Sequence, residues 1–281
     1  MRRLSAVVIT HNEERDVGRT LDALAFADEL VVVDSNSTDR TVEVCRSRGA
    51  RVVSHAFRGY GPQKRFAVSL ASHDWVLCVD ADEVVTPELA RAIRGLLATE
   101  AEPPCAAYRV AFRSVFMGRA LLHGARETHI RLFDRRRAGW DDAPVHESVL
   151  VEGETGTLPG LVLHYTARDV GEAIDKLNAY TTRAASDRRG RPVRGTAVLL
   201  ASGAYHFFRH FVLRRHFLNG VPGFTWAMLF AVGSVVKHVK AHELAPGADA
   251  PAEGEARAAA DAPAEGEARA AAPAPPARVS G

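Results

Sequence analysis

Three carboxylates crowd together at one point of this chain: Asp80, Asp82 and Glu83 follow directly on Trp75-Val76-Leu77-Cys78-Val79. An apolar run of that length suits the middle of a parallel sheet, and Asp is a residue that ends strands. Carboxylates this close repel one another unless a cation lies between them. Hard oxygen donors at a strand end favour Mg2+ or Mn2+, and a metal held there would most naturally carry a diphosphate. The competing reading is an acidic turn ahead of a helix. Thr86-Pro87-Glu88 offers an N-cap, a proline at the first helical position and an acid in the first turn, but this leaves Asp80 and Asp82 unexplained.

The elements that must position these acids are strands alternating with helices. Leu4 to Thr10 is rich in β-branched residues and reads as a first buried strand, followed by His11-Asn12-Glu13-Glu14 and an amphipathic helix carrying Val17, Leu21 and Leu24. Leu30 to Val33 is a second strand ending in the polar loop Asp34-Ser35-Asn36-Ser37-Thr38-Asp39. Arg51 to Val53 gives a third strand, Gln63 to Ala71 a helix, and Asp74 to Val79 the central strand. This spacing means βαβ units and a largely parallel sheet, on which ligands sit at the carboxyl ends of strands. Thr10, Asp34 and Asp80 all fall there. Dinucleotide and P-loop sites are excluded, because no glycine follows the first strand and Gly59-Tyr60-Gly61-Pro62-Gln63-Lys64 matches neither pattern. Lacking glycine amides, the chain would have to neutralise phosphate with a metal and with Lys64 and Arg65.

Four blocks together carry a family resemblance: Val-Val-Ile-Thr-His-Asn-Glu-Glu, Val-Val-Val-Asp-Ser-Asn-Ser-Thr-Asp-Arg-Thr, Gly-Tyr-Gly-Pro-Gln-Lys-Arg and Asp-Ala-Asp-Glu. They resemble family 2 inverting glycosyltransferases of the GT-A fold, and more narrowly the lipopolysaccharide-core branch that includes β-1,4-glucosyltransferases. The third block departs from the branch's pattern in carrying Arg65-Phe66 where Asn is common. The resemblance implies that Thr10, Asn12, Glu13 and Asp34 line a nucleotide pocket, with Asp80 near the ribose. It implies that Asp82 of this Asp-x-Asp motif binds the Mg2+ or Mn2+ that bridges the donor's phosphates. Asp34 as a plain helix cap is the alternative.

Beyond Ala101 the pattern turns to antiparallel strands, Cys105 to Phe112 and His129 to Phe133, joined by a loop from Phe116 to Arg126. Such a mixed half shapes the acceptor side. Inversion at an anomeric carbon requires a base to take the acceptor hydroxyl's proton, a task suited to a positioned carboxylate. Glu147, in Val145-His146-Glu147, is the candidate because related enzymes carry an acidic catalytic motif there. Asp142 and Glu83 are the reserves. His164 ends the strand Leu161 to Tyr165 and is either structural or, as the resemblance implies, a further metal ligand. Arg126, Arg131, Arg135, Arg136 and Arg137 form a basic cluster that meets an acceptor's phosphates or is an ordinary solvated surface.

Thr166 is expected to cap a long helix through Ile174, Leu177 and Tyr180. Thr196 to Leu218 then mixes aromatics with Arg209, Arg214, Arg215 and several histidines, the composition of a helix in a membrane interface or of a helical pair covering the core. Phe224 to Val236 falls short of the roughly 20 residues a span requires. The segment Asp249 to Ala260 repeats identically as Asp261 to Ala272. It has nothing large and apolar to bury, so a disordered tail is expected.

The 281 residues carry a net charge of +2, but the acids concentrated from Glu243 onward leave the body mildly basic. That suits anionic substrates or an anionic membrane surface, and no nucleic acid is expected as partner. Cys45, Cys78 and Cys105 show no ligand spacing and read as core residues of a reducing compartment. Arg2-Arg3 precede an apolar run that is too short for a secretory signal.

The expectation is an α/β, Rossmann-like, mostly parallel sheet flanked by helices over residues 1–165, a helical membrane-interface region over 166–242, and the tail from 243. The activity expected is metal-dependent inverting transfer of a hexose from UDP-glucose to a lipid-linked saccharide, at the cytoplasmic face of the inner membrane. Alternative donors are ADP-heptose and UDP-N-acetylglucosamine, and a binding protein without turnover is the alternative of a different class. A sugar nucleotidyltransferase would begin with a Gly-rich basic loop that is missing here.

Overall fold

The computed structural model describes residues 2–124, 127–143, 147–188 and 195–244. Arg126, His146 and the repeat-bearing tail therefore lie outside the described residues. The chain opens with alternating elements: β1 (Leu4–Thr10), α1 (Val17–Ala23), β2 (Glu29–Asp34), α2 (Thr41–Ser47), β3 (Arg51–Ser54), α3 (Tyr60–Ser69) and β4 (Trp75–Asp80). These four strands run parallel in the order β3-β2-β1-β4, as alternation at this spacing requires. Two apolar layers flank them. Ala6, Val8, Leu77 and Val79 pack with α1 on one face, and Val7, Ile9, Val76 and Cys78 with α3 on the other. Burial pushes the Cys78 thiol up to about 12 and that of Cys45 to about 11, so both behave as core residues.

The second half holds β5 (Glu83–Val85), α4 (Pro87–Ala98), β6 (Ala107–Phe116), β7 (Arg119–Ala120), β8 (Glu127–Asp134), β9 (Ala138–Trp140), β10 (Val149–Val151) and β11 (Thr155–Ala167). The sheet continues β4-β8-β6-β11-β5, with mixed strand directions, while β9 and β10 form a separate hairpin. The acidic turn after Asp80 thus contains a short strand that the sequence reading lacked. Only Ala81 and Asp82 separate β4 from β5, yet three strands lie between them in the sheet. Three Cα steps reach at most about 11 Å, so the sheet must curl until its β5 edge returns beside the end of β4. That curl delivers β11 to Asp82: the Tyr165 N–H donates to the Asp82 carbonyl at 2.9 Å. Thr86 caps α4 as expected, with Pro87 at the first position.

The C-terminal part is helical: α5 (Val170–Ser186), α6 (Thr196–Phe208), a π turn at Arg209–Leu213, a 3-10 turn at His216–Asn219, and α7 (Gly220–Glu243). Three expectations are corrected here. Asp169, not Thr166, caps α5, accepting from Glu172 N at 2.8 Å, because β11 continues through Thr166 to Ala167. Thr196 to Leu218 is not one helix, since Arg215 takes a left-handed φ of 59° and breaks it. The apolar run from Phe224 sits inside a 24-residue helix, long and apolar enough to cross a membrane by length and composition, though 33% of its apolar window is buried against the rest of the chain.

Candidate active site

The register of the parallel strands sets Thr10 beside Asp34 and Ile9 beside Asp80, so three polar strand ends meet on one edge. Asp34 is 2% exposed and accepts hydrogen bonds from the Ser37 N–H at 2.9 Å and the Ser37 hydroxyl at 2.5 Å. It therefore braces its own loop, and it is Asp39 that takes the Thr41 N–H at the start of α2. Asn12, at a φ of 55°, donates its N–H to Ser37 Oγ at 2.9 Å and accepts the Thr38 N–H at 2.8 Å. These bonds lace the β1 and β2 loops together. The buried Thr10 hydroxyl has no partner among the described residues. Glu13 is pushed up to about 7, first by burial and then by the charges of Asp82 and Asp16.

Asp80 heads a buried ionic cluster. Lys64 on α3 lies 3.0 Å from Asp80 and 2.8 Å from Glu147, while Arg131 on β8 reaches Asp80 at 3.2 Å and Glu83 at 2.5 Å. The Asp80 N–H also donates to Glu83 at 3.0 Å. Burial alone would raise the Asp80 carboxyl, but Lys64 and Arg131 outweigh it and hold it far below the usual range. Burial raises Glu83, against Arg131 and with the help of Asp80's charge. The Trp140 ring covers the cations, 4.7 Å from Lys64 and 5.9 Å from Arg131. Arg131 Nε and Trp140 Nε1 are buried without a hydrogen-bond partner among the described residues. Such unsatisfied groups concentrate where a polar ligand would complete them.

Asp82 lies on the other side of the same turn, its Oδ2 3.3 Å from His164 Nε2. Burial disfavours the imidazolium, but Asp82's hydrogen bond and charge, with Glu83 and Asp80, raise His164 overall. A divalent ion would be held by Asp82 and His164. No group of three or more His, Cys, Asp or Glu residues stands ready for an ion among the described residues. The pair nevertheless fits Mg2+ or Mn2+, which take one or two protein ligands and complete their shell with water and substrate phosphate. Asp80, Glu147 and His164 line one cavity of about 760 Å3, bounded by β6, β8, β11, α5 and the start of α7.

A profile of the Glycosyl transferase family 2 matches residues 5–146, the stretch that builds the strand ends and all of the ionic cluster except Glu147. The chain belongs to glycosyl transferase family 2. Among its curated relatives, the transferase is 31% identical to the lipopolysaccharide core biosynthesis glycosyltransferase LpsC of Rhizobium meliloti, over 85% of this chain and 92% of that one. It is 29% identical to an uncharacterized glycosyltransferase of Rickettsia typhi, over 87% and 88% of the two chains. Among solved structures it is similar to S. aureus TarS in complex with UDP, at 26% identity and a TM-score of 0.35, covering 40% of this chain and 36% of that one.

Other expected positions of the transferase fall elsewhere. Arg65 is exposed and pairs with the exposed Asp142 at 2.5 Å, outside the cavity. The expected arginine cluster does not form one surface. Arg131 is buried in the ionic cluster, whereas Arg135 binds the Ala71 carbonyl and Arg136 binds Asp134 and Asp74, at the far end of β4 from Asp80. Two residues of the site, Trp140 and Gly61, were given no role by the sequence, and a third, Arg131, was read only as a member of the arginine cluster. Trp140 and Arg131 lie far from the motif blocks and reach it only through β8 and the β9–β10 hairpin. Gly61 does carry a signal, in the Gly-Tyr-Gly block, whose reason is steric. A Cβ there would meet the carbonyls of Ala143 and Asp141 at 2.5 and 2.6 Å, so only glycine lets the segment before Glu147 lie against α3.

Proposed function

We propose that the transferase moves a hexose, with inversion, from a nucleotide sugar, UDP-glucose being the first candidate, to a lipid-linked saccharide of the lipopolysaccharide core. The observation that carries this reading is that Asp80, Glu147 and His164 line one cavity, with Asp82 paired to His164 and the strand ends of β1 and β2 next to Asp80 in the sheet. Thr10, Asn12, Glu13 and Asp34 form the nucleoside side, and the free Thr10 hydroxyl is a donor or acceptor for base or ribose. A divalent ion held by Asp82 and His164 supplies charge neutralisation for the departing diphosphate when bound. Lys64 holds the Glu147 carboxyl group at 2.8 Å, where it lines the cavity. Glu147 takes the proton of the acceptor hydroxyl as that oxygen attacks the anomeric carbon opposite the leaving diphosphate. The two reserve acids are less suited, since Asp142 is tied to Arg65 in solvent and Glu83 to Arg131 in the interior.

The kinship with a lipopolysaccharide core enzyme supports a lipid-linked acceptor. So does the helical end, where Leu200, Tyr205, Phe208, Leu213, Phe217, Leu218, Val221 and Phe224 are all about half exposed or more. That much apolar surface beside exposed Arg209 and Arg215 fits the interface of an anionic membrane. The test is thermal stabilisation by a panel of nucleotides and nucleotide sugars, with and without Mn2+, on the native chain and on Asp82→Ala. Stabilisation by UDP-glucose that needs both metal and Asp82 is expected. Indifference of every uridine compound to Asp82 overturns the donor site.

A further inference from the structure

The cavity has two walls of different electrical character. Its inner wall is neutralised, because Lys64 and Arg131 are committed to Asp80, Glu83 and Glu147. Its outer wall carries Arg109 and Arg113 from β6, Arg183 from α5 and Arg214 from the turn before α7. None of these four guanidinium groups has a salt bridge or hydrogen bond to a side chain among the described residues. The acids on that wall are Glu127 and Asp187. Glu127 is held below its usual value first by its hydrogen bond to His129, against burial, and then by the charges of His129, Arg214 and His164. Four cations from three separate elements therefore face one space with an excess of positive charge. Arginine's planar fork suits phosphate and carboxylate, and in a concave site the field is focused rather than dispersed.

We infer that the acceptor of this transferase is an anionic saccharide, bearing phosphate on a residue beside the one that is glycosylated, and that Arg109, Arg113, Arg183 and Arg214 bind that anion. This rests on the reading of the cavity as the acceptor site. With the anion on the outer wall, the acceptor's neighbouring hydroxyl faces Glu147 on the inner one. The arrangement makes charge a condition of acceptor choice, since a neutral saccharide leaves the four guanidinium groups with nothing to displace their water for.

The experiment uses the full chain and measures binding by calorimetry at low salt to a deacylated, phosphorylated core oligosaccharide and to the same oligosaccharide after chemical dephosphorylation. A third arm uses phosphatidylglycerol vesicles. The native chain is expected to bind the phosphorylated form at least tenfold more tightly. Arg109→Gln with Arg113→Gln, and separately Arg183→Gln, should bring that affinity down toward the dephosphorylated value and flatten its salt dependence. Equal affinity for the two oligosaccharides overturns the inference, and so does an equal loss for both in the variants. Loss of vesicle binding alone would assign the arginines to lipid headgroups and overturn it too. UDP-glucose with Mn2+, followed by thermal shift on the same proteins, separates this from the donor reading. A chain that ignores the donor refutes the proposed function, whereas one that binds it and ignores acceptor charge refutes only the anion site.

Discussion

The proposed nucleoside side and the proposed acceptor side of the site are built on opposite principles. At the ends of β1 and β2 nearly every polar group is answered locally: Asp34 by Ser37, Asn12 by Thr38, Asp39 by Thr41, His11 by Ser35 at 2.9 Å. Gln63 extends the brace, donating to Ser35 Oγ at 3.0 Å while its carbonyl meets His55 at 2.9 Å. Across the cavity the charged groups come from β6, β8, α5 and the turn before α7, and several have no partner. A nucleotide is a fixed shape that repays a rigid frame. An acceptor is recognised by groups left free to meet it. Between the two lies the ionic cluster of Asp80, Lys64, Glu147, Arg131 and Glu83, the seam that holds one half to the other.

Changes at the seam should have the largest effects and should divide along it. Glu147→Gln keeps the shape and the Lys64 contact but removes the proposed base. Turnover is expected to fall by about 10²- to 10⁴-fold, with donor affinity little changed, as steady-state rates and thermal shift would show. An equal loss of donor binding would mean that Glu147 belongs to the nucleoside side. Lys64→Met leaves Asp80 and Glu147 facing each other without their cation. Unfolding free energy from urea melts should drop by roughly 3–5 kcal/mol, the penalty for stranding a buried charge. If stability is unchanged, the cluster is better hydrated than its burial indicates. Gly61→Ala acts on one half only. The added methyl must move the 141–143 backbone, so turnover should fall by about tenfold or more while UDP-glucose still stabilises the protein, an outcome that links α3 to the placement of Glu147.

The same contrast explains what could be read from the sequence. The nucleoside side is written in contiguous blocks because a strand, its polar end and the next helix are neighbours in the chain. Thr10, Asp34 and Asp80 could be placed at strand ends from periodicity alone. Helix α4, with Thr86 and Pro87, was legible for the same local reason. The acceptor side was not, because its residues are brought together by the curl of the sheet. Nothing near Arg109 or Arg183 in sequence marks either residue as a cavity wall. The arginine-rich stretch from Arg131 to Arg137 invited the opposite conclusion, yet its members are spread over the length of β4 by the pairing of β8. The strand β5 was hidden because three residues inside an acidic turn carry no periodicity, and its partner β11 lies about eighty residues away.

The smallest of these effects tests the frame on the nucleoside side itself. Glu13 is raised from the ordinary carboxylate value to about 7 because burial and the charges of Asp82 and Asp16 disfavour its ionised form. The folded state therefore binds this proton more tightly than the unfolded chain does. The associated stability is fully present below the unfolded value of about 4.5 and is lost as pH rises through 7. Glu13→Gln removes the titration, so in the presence of a chelator the variant should be more stable than the native chain at pH 8, by on the order of 1–2 kcal/mol after allowance for partial exposure. The difference should vanish by pH 4.5. Thermal melts across that range would show it. Mn2+ added at pH 8 should close part of the gap, because a cation at Asp82 cancels one of the charges that raised Glu13. A gap insensitive to Mn2+ would leave burial as its cause and would separate Glu13 from the metal pair.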